Sequence, residues 1–190
     1  MEKATVGYAL TGSFCTFDKS IEAMKSLVGD GYKVIPIMSF NAFNLDTRFG
    51  KAIDFRNKIE EITGNKIIAT IVDAEPIGPK KLVDLLIISP CTGNTIGKIA
   101  NGIYDTPVTL AVKSQLRCSR PVLIGVSSND SLAASAKNIG LLMNGKHIYF
   151  VPMSQDAPQG KPRSMVCHFE KTLEAAKAAL DGEQIQPIIG

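Results

Sequence analysis

The sequence predicts an α/β protein: a Rossmann-like, doubly wound parallel sheet in three layers, α/β/α. Short runs rich in β-branched residues alternate with longer helical patterns along most of the 190 residues. The strand-like runs, such as 85–89, are almost continuously apolar, which is typical of strands buried on both faces. Hydrophobic residues make up 45% of the chain and charged residues 21%, as in a soluble globular protein. The length of 190 residues predicts a single domain over residues 1–190.

Strands and helices are predicted to follow one another in order. Predicted strands cover residues 4–10, 32–38, 67–72, 85–89, 122–127 and 148–151. Predicted helices cover residues 17–28, 52–62, 92–103, 107–116, 131–143 and 166–180. Residues 39–50 are predicted to be a loop, and residues 182–190 a loose C-terminal tail. No repeat or second domain is indicated.

Composition excludes several classes of function. The net charge is only +3, Trp is absent and aromatic residues make up 6%, which disfavours nucleic-acid binding. No apolar stretch approaches the roughly 20 residues that span a bilayer, and the N-terminus does not resemble a signal peptide. The four cysteines and two histidines lack metal-ligand or disulfide-framework spacing. We therefore expect a cytoplasmic protein without metal, nucleic-acid or membrane partners.

Small polar residues and glycine follow four of the predicted strands. These turns are Thr11-Gly12-Ser13, Ser39-Phe40-Asn41, residues 89–95 and Ser127-Ser128-Asn129. The carboxyl ends of parallel strands meet at one edge of a sheet, where ligands bind. Hydroxyls and helix N-terminal amides bind phosphate without lysine. Each turn alone is more typical of helix capping, but four at one edge favour a ligand site.

The class of ligand is narrowed by missing motifs. The turn after the first strand imitates a phosphate-binding Walker A loop but has no lysine, which argues against a nucleotide triphosphatase. No G-x-G-x-x-G follows that strand, which argues against a dinucleotide. A monophosphate such as FMN suits these polar turns.

Residues 89–102, SPCTGNTIGKIANG, resemble the P-A-S/T-A-N-T-x-x-K-x-A-x-G segment of a flavoprotein family. That FMN-binding family includes phosphopantothenoylcysteine decarboxylase, lantibiotic cysteine decarboxylases and flavin prenyltransferases. The turn Thr11-Gly12-Ser13, Ser39 with Ala42 and Phe43, and Pro152-Met153 add to the resemblance, which covers about residues 4–165. It implies a homo-oligomer, trimer or dodecamer, with flavin sites between subunits. It also implies FMN binding by Gly12, Ser13, Phe14, Ser39, Phe40, Pro90, Thr92, Asn94, Thr95, Ser127 and Asn129.

Three longer sequence segments resemble one branch of that family, and this branch serves dipicolinate synthesis in sporulating bacteria. They are TGSFCTFDK, SPCTGNTIGKIANGIYDTPVTLA and PMSQDAPQGKP. The resemblance implies oxidation of dihydrodipicolinate or hydroxytetrahydrodipicolinate, a small dicarboxylate, to dipicolinate in the cytoplasm of the mother cell. It further implies a partner subunit that supplies NAD(P) on its own Rossmann domain. Whether flavin or NAD(P) accepts the hydride stays open at this point.

The chain departs from the family's decarboxylases at three places. The loop 39–50 has no histidine, Ser154 stands where the decarboxylases have asparagine after Pro152-Met153, and residues 156–165 contain no cysteine. Decarboxylation of a thiol substrate needs a base and a proton donor, so these absences disfavour it. A stand-alone decarboxylase or prenyltransferase, and a non-catalytic scaffold for the partner subunit, stay as alternatives.

Residues 152–165 are predicted to be a lid loop. In that prediction Met153, Lys161 and Arg163 bind the dicarboxylate substrate, since cations suit carboxylates. A solvated surface loop is an equal alternative. For Arg48 a solvated turn is the simpler interpretation, and a position facing the same pocket is the alternative. No catalytic residue is predicted.

Overall fold

The computed structural model describes residues 3–190, built around a central sheet of seven strands. The parallel strands are Thr5–Leu10 (β1), Lys33–Met38 (β2), Leu85–Cys91 (β3), Val122–Ser128 (β4) and Ile148–Phe150 (β5). Their order is β2-β1-β3-β4-β5, so the chain winds outward from β1 in both directions. The predicted fold class is confirmed.

Helices cover both faces of the sheet. They are Phe17–Gly29 (α1), Phe40–Asn44 (α2), Ala52–Thr63 (α3), Ile71–Ala74 (α4), Gly93–Ala100 (α5), Pro107–Arg117 (α6), Ala136–Met143 (α7) and Thr172–Leu180 (α8). Helices α1, α3 and α8 pack together on one face, and α4, α5, α6 and α7 pack on the other. Within residues 3–190, none of the helices has the length and hydropathy needed to cross a bilayer.

The core lies on both sides of β3, whose seven residues are all buried. Helix α1 faces it with Phe17, Ile21, Met24 and Leu27, which recur at helical spacing and are fully buried. Each such side chain contributes about 1.5–3 kcal/mol relative to exposure in water. This burial holds the ends of the strands, and hence the turns that follow them, in fixed positions.

The predicted strand over residues 67–72 is wrong. Only Ile68 pairs with the sheet, through a single bridge to Ile37, and residues 71–74 form the short helix α4. The Thr70 side chain caps this helix by accepting a hydrogen bond from the Asp73 N–H at 3.0 Å. The β-branched composition imitates a strand, but Val72 is 79% exposed. The predicted loop 39–50 also contains a short helix, α2.

The start of the predicted last helix is wrong as well. Residues Met165–Cys167 (β7) form a strand that pairs antiparallel with Met153–Ser154 (β6), and the helix α8 begins only at Thr172. Strand β7 also pairs antiparallel with the end of β4, at Ser127 and Ser128. The sheet is therefore mixed at this edge, and residues 153–167 form a hairpin beside the carboxyl ends of the parallel strands.

The C-terminal tail is attached to the sheet, contrary to the loose tail predicted. The Met153 N–H donates to the carbonyl oxygen of Ile188 at 2.9 Å, and the Gly190 N–H donates to that of Met153 at 3.2 Å. The Gln184 amide bonds both the N–H and the carbonyl of Phe150, at 2.7 and 2.8 Å. The reason is that β5 and β6 leave backbone groups at an open edge, which the tail satisfies.

Candidate functional site

Hydrogen bonds join the turns that follow β1, β3 and β4. The Ser13 and Ser127 hydroxyls lie 2.8 Å apart and share a hydrogen bond. The Thr11 hydroxyl donates to the carbonyl oxygen of Pro90 at 2.8 Å and accepts from the Thr92 N–H at 3.0 Å. These bonds make one continuous polar rim from three turns that are far apart in sequence.

One helix, α5, begins at this rim, and another, α2, begins at the turn after β2. The Thr92 hydroxyl caps α5 by accepting from the Thr95 N–H at 3.4 Å, and the Ser39 hydroxyl caps α2 by accepting from the Ala42 N–H at 3.3 Å. The first turn of a helix carries unpaired N–H groups and a partial positive charge, both of which favour anions. The start of α5 therefore offers an anion-binding position inside the site.

The smaller of two adjoining cavities, about 340 Å³, lies over these helix starts. Hydroxyls and amides line most of it, together with one cation, Lys98. The Lys98 ammonium lies 2.7 Å from an Asp105 carboxylate oxygen, and its hydrogen bond lowers the pKa of that carboxyl. The lining residues are Thr11, Gly12, Ser39, Phe40, Asn41, Thr92, Asn94, Thr95, Lys98 and Thr106.

The larger cavity, about 620 Å³, shares the lining residues Gly12, Thr92 and Asn94 with the smaller one, so the two cavities adjoin. Aromatic side chains and charges of both signs line it. The lining residues are Gly12, Ser13, Phe14, Cys15, Thr16, Arg48, Phe49, Thr92, Gly93, Asn94, Ser127, Ser128, Asn129, Asp130, Asp156, Lys161, Ser164 and Val166.

Asp130 packs directly against the start of α5. One of its carboxylate oxygens accepts hydrogen bonds from the Ser128 hydroxyl at 2.6 Å and the Ser135 hydroxyl at 2.9 Å. A Cβ atom on Gly93 would lie only 2.6 Å from that same oxygen and from the Ser135 hydroxyl. Position 93 therefore requires glycine so that the Asp130 carboxylate can approach the helix.

The hairpin between β6 and β7 supplies another wall of the larger cavity. Within it, the Lys161 ammonium lies 3.1 Å from an Asp156 carboxylate oxygen. Partial burial raises the pKa of Asp156, but hydrogen bonding with Ser164 and Lys161 outweighs this, so the pKa lies below its ordinary value. The Asp156 carboxylate is therefore ionised at neutral pH and pairs with Lys161.

Of the residues predicted to bind a cofactor, all but Pro90 line one of the two cavities. Pro90 is buried within β3 and contributes its carbonyl oxygen to the rim. The structure thus brings the predicted residues together, and their contact with FMN stays a prediction.

Of the three residues predicted to bind the substrate, only one lines a cavity in the described part of the chain. Lys161 lines the larger cavity, whereas Met153 and Arg163 are not among the lining residues in the part of the chain that the structure describes. Met153 is fully buried in β6, and Arg163 is exposed, with its carbonyl oxygen accepting from the Leu132 N–H at 3.0 Å. Neither residue lines the cavity as Lys161 does, and contact of either one with a substrate stays a prediction.

Four residues that line or shape the site were not predicted from the sequence: Phe49, Gly93, Asp130 and Lys98. Asp130 directly follows a strand-end turn, a signal that was present in the sequence.

Cys91 and Cys167 belong to the core, where burial raises the pKa of both thiols, that of Cys167 to about 12. Both are therefore protonated at neutral pH, as expected of unreactive cysteines in a protein core.

Similarity to known proteins extends over almost the whole chain. The profile of the family described as Flavoprotein matches residues 1–182. The B subunit of dipicolinate synthase from Bacillus subtilis (strain 168) is 41% identical over 184 residues, which cover 97% of this chain and 92% of the relative. The crystal structure of the corresponding dipicolinate synthase subunit from Bacillus halodurans has a TM-score of 0.90 and 43% identity, covering 98% of this chain and 96% of that one. The FMN-dependent cysteine decarboxylase SpaF shares the fold at 21% identity, with a TM-score of 0.68, covering 95% of this chain and 98% of that one.

Proposed function

Because the chain belongs to the flavoprotein family, we propose that it is the FMN-binding subunit of a dipicolinate synthase. In this proposal the enzyme oxidises dihydrodipicolinate to pyridine-2,6-dicarboxylate (dipicolinate) during sporulation, in the cytoplasm of the mother cell. The observation that carries the proposal is the pair of adjoining cavities at the carboxyl edge of the sheet. Similarity to the B. subtilis relative over nearly its whole length supports the same reaction.

The residues present fit FMN. The smaller cavity offers hydroxyl and amide donors, the start of α5 and one lysine, which is a donor set for a phosphate group. In the proposal, Ser39, Thr92, Asn94 and Thr95 hold that phosphate. The larger cavity has the volume for a ring system, since ligand pockets usually measure about 300–1,000 Å³.

Oxidation of dihydrodipicolinate removes a hydride and a proton, and aromatisation of the ring drives the reaction. Hydroxytetrahydrodipicolinate must also lose water before it reaches the same product. FMN, when bound, supplies a two-electron acceptor. The chain's own residues position the reactants: the Ser13–Ser127 hydrogen bond fixes two turns of the site, and the hairpin 153–167 acts as a lid over the larger cavity.

We further propose that the A subunit of dipicolinate synthase is the partner and supplies NAD(P), on its own nicotinamide-binding domain. The B. subtilis relative is named as the B subunit of that synthase, which supports such a partner.

We also propose that several copies of the chain assemble into a homo-oligomer. This part of the proposal rests on the resemblance of residues 89–102 to the FMN-binding family, which implies flavin sites between subunits.

The test is reconstitution of the synthase. The purified chain and its partner subunit are combined with dihydrodipicolinate and NADP⁺, with and without FMN, and the formation of dipicolinate is followed by its ultraviolet absorbance. We expect product formation to require both the chain and FMN. Full activity of the partner subunit without the chain would contradict the proposal, and full activity of the FMN-free mixture would favour the scaffold alternative.

A further inference from the structure

Two cations on separate loops line the larger cavity. Arg48 lies in the connection between α2 and α3, and Lys161 lies in the hairpin between β6 and β7. More than a hundred residues separate them in sequence, as their numbers show. The fold therefore brings two positive charges to one cavity from elements that do not otherwise belong to the polar rim.

Arg48 is available to bind an anion. Its guanidinium lies over the ring of Phe49, 4.8 Å from the centroid, and Phe49 lines the same cavity. Among residues 3–190 its guanidinium forms no ion pair with a carboxylate. A guanidinium binds a carboxylate through two parallel hydrogen bonds, which makes it well suited to this group.

The Lys161 ammonium can still donate hydrogen bonds to a ligand, although it forms an ion pair with Asp156. An ammonium group has three donors, and the Asp156 carboxylate oxygen at 3.1 Å takes one of them. This ion pair holds the ammonium at the cavity wall. The other carboxylate of the cavity, Asp130, accepts two serine hydrogen bonds and forms no ion pair within the described residues. It does not neutralise either cation by direct contact.

We propose that Arg48 and Lys161 form a clamp in which each cation binds one carboxylate of the substrate. The clamp would select a dicarboxylate over a monocarboxylate of the same ring, because the second carboxylate finds a second cation. It rests on the proposed function for the identity of the substrate. Phe14 and Phe49 line the same cavity and provide apolar surface for the ring between the two carboxylates.

The experiment compares the binding of two ligands by isothermal titration calorimetry. FMN-loaded protein is titrated with pyridine-2,6-dicarboxylate and with pyridine-2-carboxylate. Arg48→Gln and Lys161→Gln should each weaken dicarboxylate binding by about tenfold to a hundredfold, the range for one charge-assisted contact. Each variant should also lose most of the preference for the dicarboxylate. Arg48→Lys should recover part of the affinity, since it restores the charge but not the paired hydrogen bonds.

Arg163→Gln is the matched control, because Arg163 belongs to the same hairpin but not to the cavity lining. Its affinity for both ligands should equal that of the wild type. Unchanged dicarboxylate binding in Arg48→Gln would overturn the clamp, as would equal losses in Lys161→Gln and Arg163→Gln. A wild-type protein that does not discriminate between the two ligands would overturn it too.

The same titrations on FMN-free protein separate this inference from the proposed function. Dicarboxylate binding that depends on Arg48 and Lys161, in a protein that does not take up FMN, would support the clamp and refute the proposed cofactor. FMN binding without discrimination between the ligands would refute the clamp alone.

Discussion

The two adjoining cavities are built in different ways. Strand-end turns and helix starts form the smaller one, and buried hydrogen bonds such as that between Thr11 and Pro90 hold them in place. The larger one is completed by the loop that carries Arg48 and by the hairpin that carries Lys161, where both side chains are exposed. In the proposed function, cofactor binding therefore depends on the strand ends and helix starts of the fold, whereas substrate choice depends on the loop and the hairpin. Substitutions at the two places should have different consequences.

The largest effect is expected from Gly93→Ala. The added Cβ would overlap the Asp130 carboxylate and the Ser135 hydroxyl at 2.6 Å, so the start of α5 or Asp130 must shift. Overpacking of this kind costs about 1–3 kcal/mol of stability, and we expect FMN affinity to fall by about tenfold or more as the rim moves. A flavin fluorescence titration and a thermal melt measure the two effects.

Gly97→Ala is the control for this substitution, since it lies in the same helix. Its Cβ would be 3.5 Å from the Asn138 amide nitrogen, an ordinary contact. We expect unchanged FMN affinity and a stability gain of up to about 1 kcal/mol from replacing a helical glycine. Wild-type flavin affinity in Gly93→Ala would contradict the role given to the α5 start.

A smaller effect is expected from Thr92→Val, which removes the α5 cap and a hydroxyl that lines both cavities. Loss of the cap costs about 1 kcal/mol, and loss of a phosphate contact should weaken FMN binding by about tenfold. Thr70→Val removes the corresponding cap from α4, away from the site. It should lower stability by a similar amount with no change in FMN affinity. Equal FMN affinity in the two variants would argue against a phosphate at Thr92.

The bond between Ser13 and Ser127 should have a moderate effect on stability. Ser13→Ala, Ser127→Ala and the double variant form a thermodynamic cycle for the 2.8 Å contact. We expect a coupling energy of about 0.5–1.5 kcal/mol, measured by chemical denaturation. Strict additivity of the two single substitutions would show that the hydroxyls do not join the β1 and β4 turns in solution.

The smallest effect is expected from Asp156→Asn in the hairpin. The ion pair with Lys161 is partly exposed, so the free energy of unfolding should fall by less than about 1 kcal/mol at neutral pH. Because the pKa of Asp156 is lowered in the folded protein, any stabilisation is present above its ordinary pKa and is lost as the pH falls through the folded value. In thermal melts at decreasing pH, the difference in melting temperature between wild type and variant should therefore narrow once the pH falls below the ordinary pKa of an aspartate. A wider gap in acid would contradict this account.

The difference between the cavities also explains how far the sequence was informative. The turns after β1, β2, β3 and β4 directly follow apolar strands, so local pattern and the general rule for parallel sheets were enough to place them at one edge. The prediction of flavin came from the resemblance of residues 89–102 to a family, since polar turns alone do not distinguish one phosphate ligand from another.

The hairpin 153–167, which forms one wall of the larger cavity, depends on long-range contacts that the local sequence pattern does not reveal. Strands β6 and β7 have two and three residues, too short for an alternating pattern to indicate a strand. Without the hairpin, nothing in the local pattern favours Lys161 over Arg163 as the residue that faces the cavity. The helix at residues 71–74 was missed because residues 67–72 have strand-like composition, while the cap at Thr70 decides the local conformation.

The most direct test of the account is a comparison of FMN with riboflavin, which lacks the phosphate. The purified chain is titrated with each flavin, and binding is followed by flavin absorbance and fluorescence. If the smaller cavity binds the phosphate, FMN should bind at one equivalent per chain and at least about tenfold more tightly than riboflavin. Equal affinity for the two flavins, or no binding of FMN, would contradict the central claim.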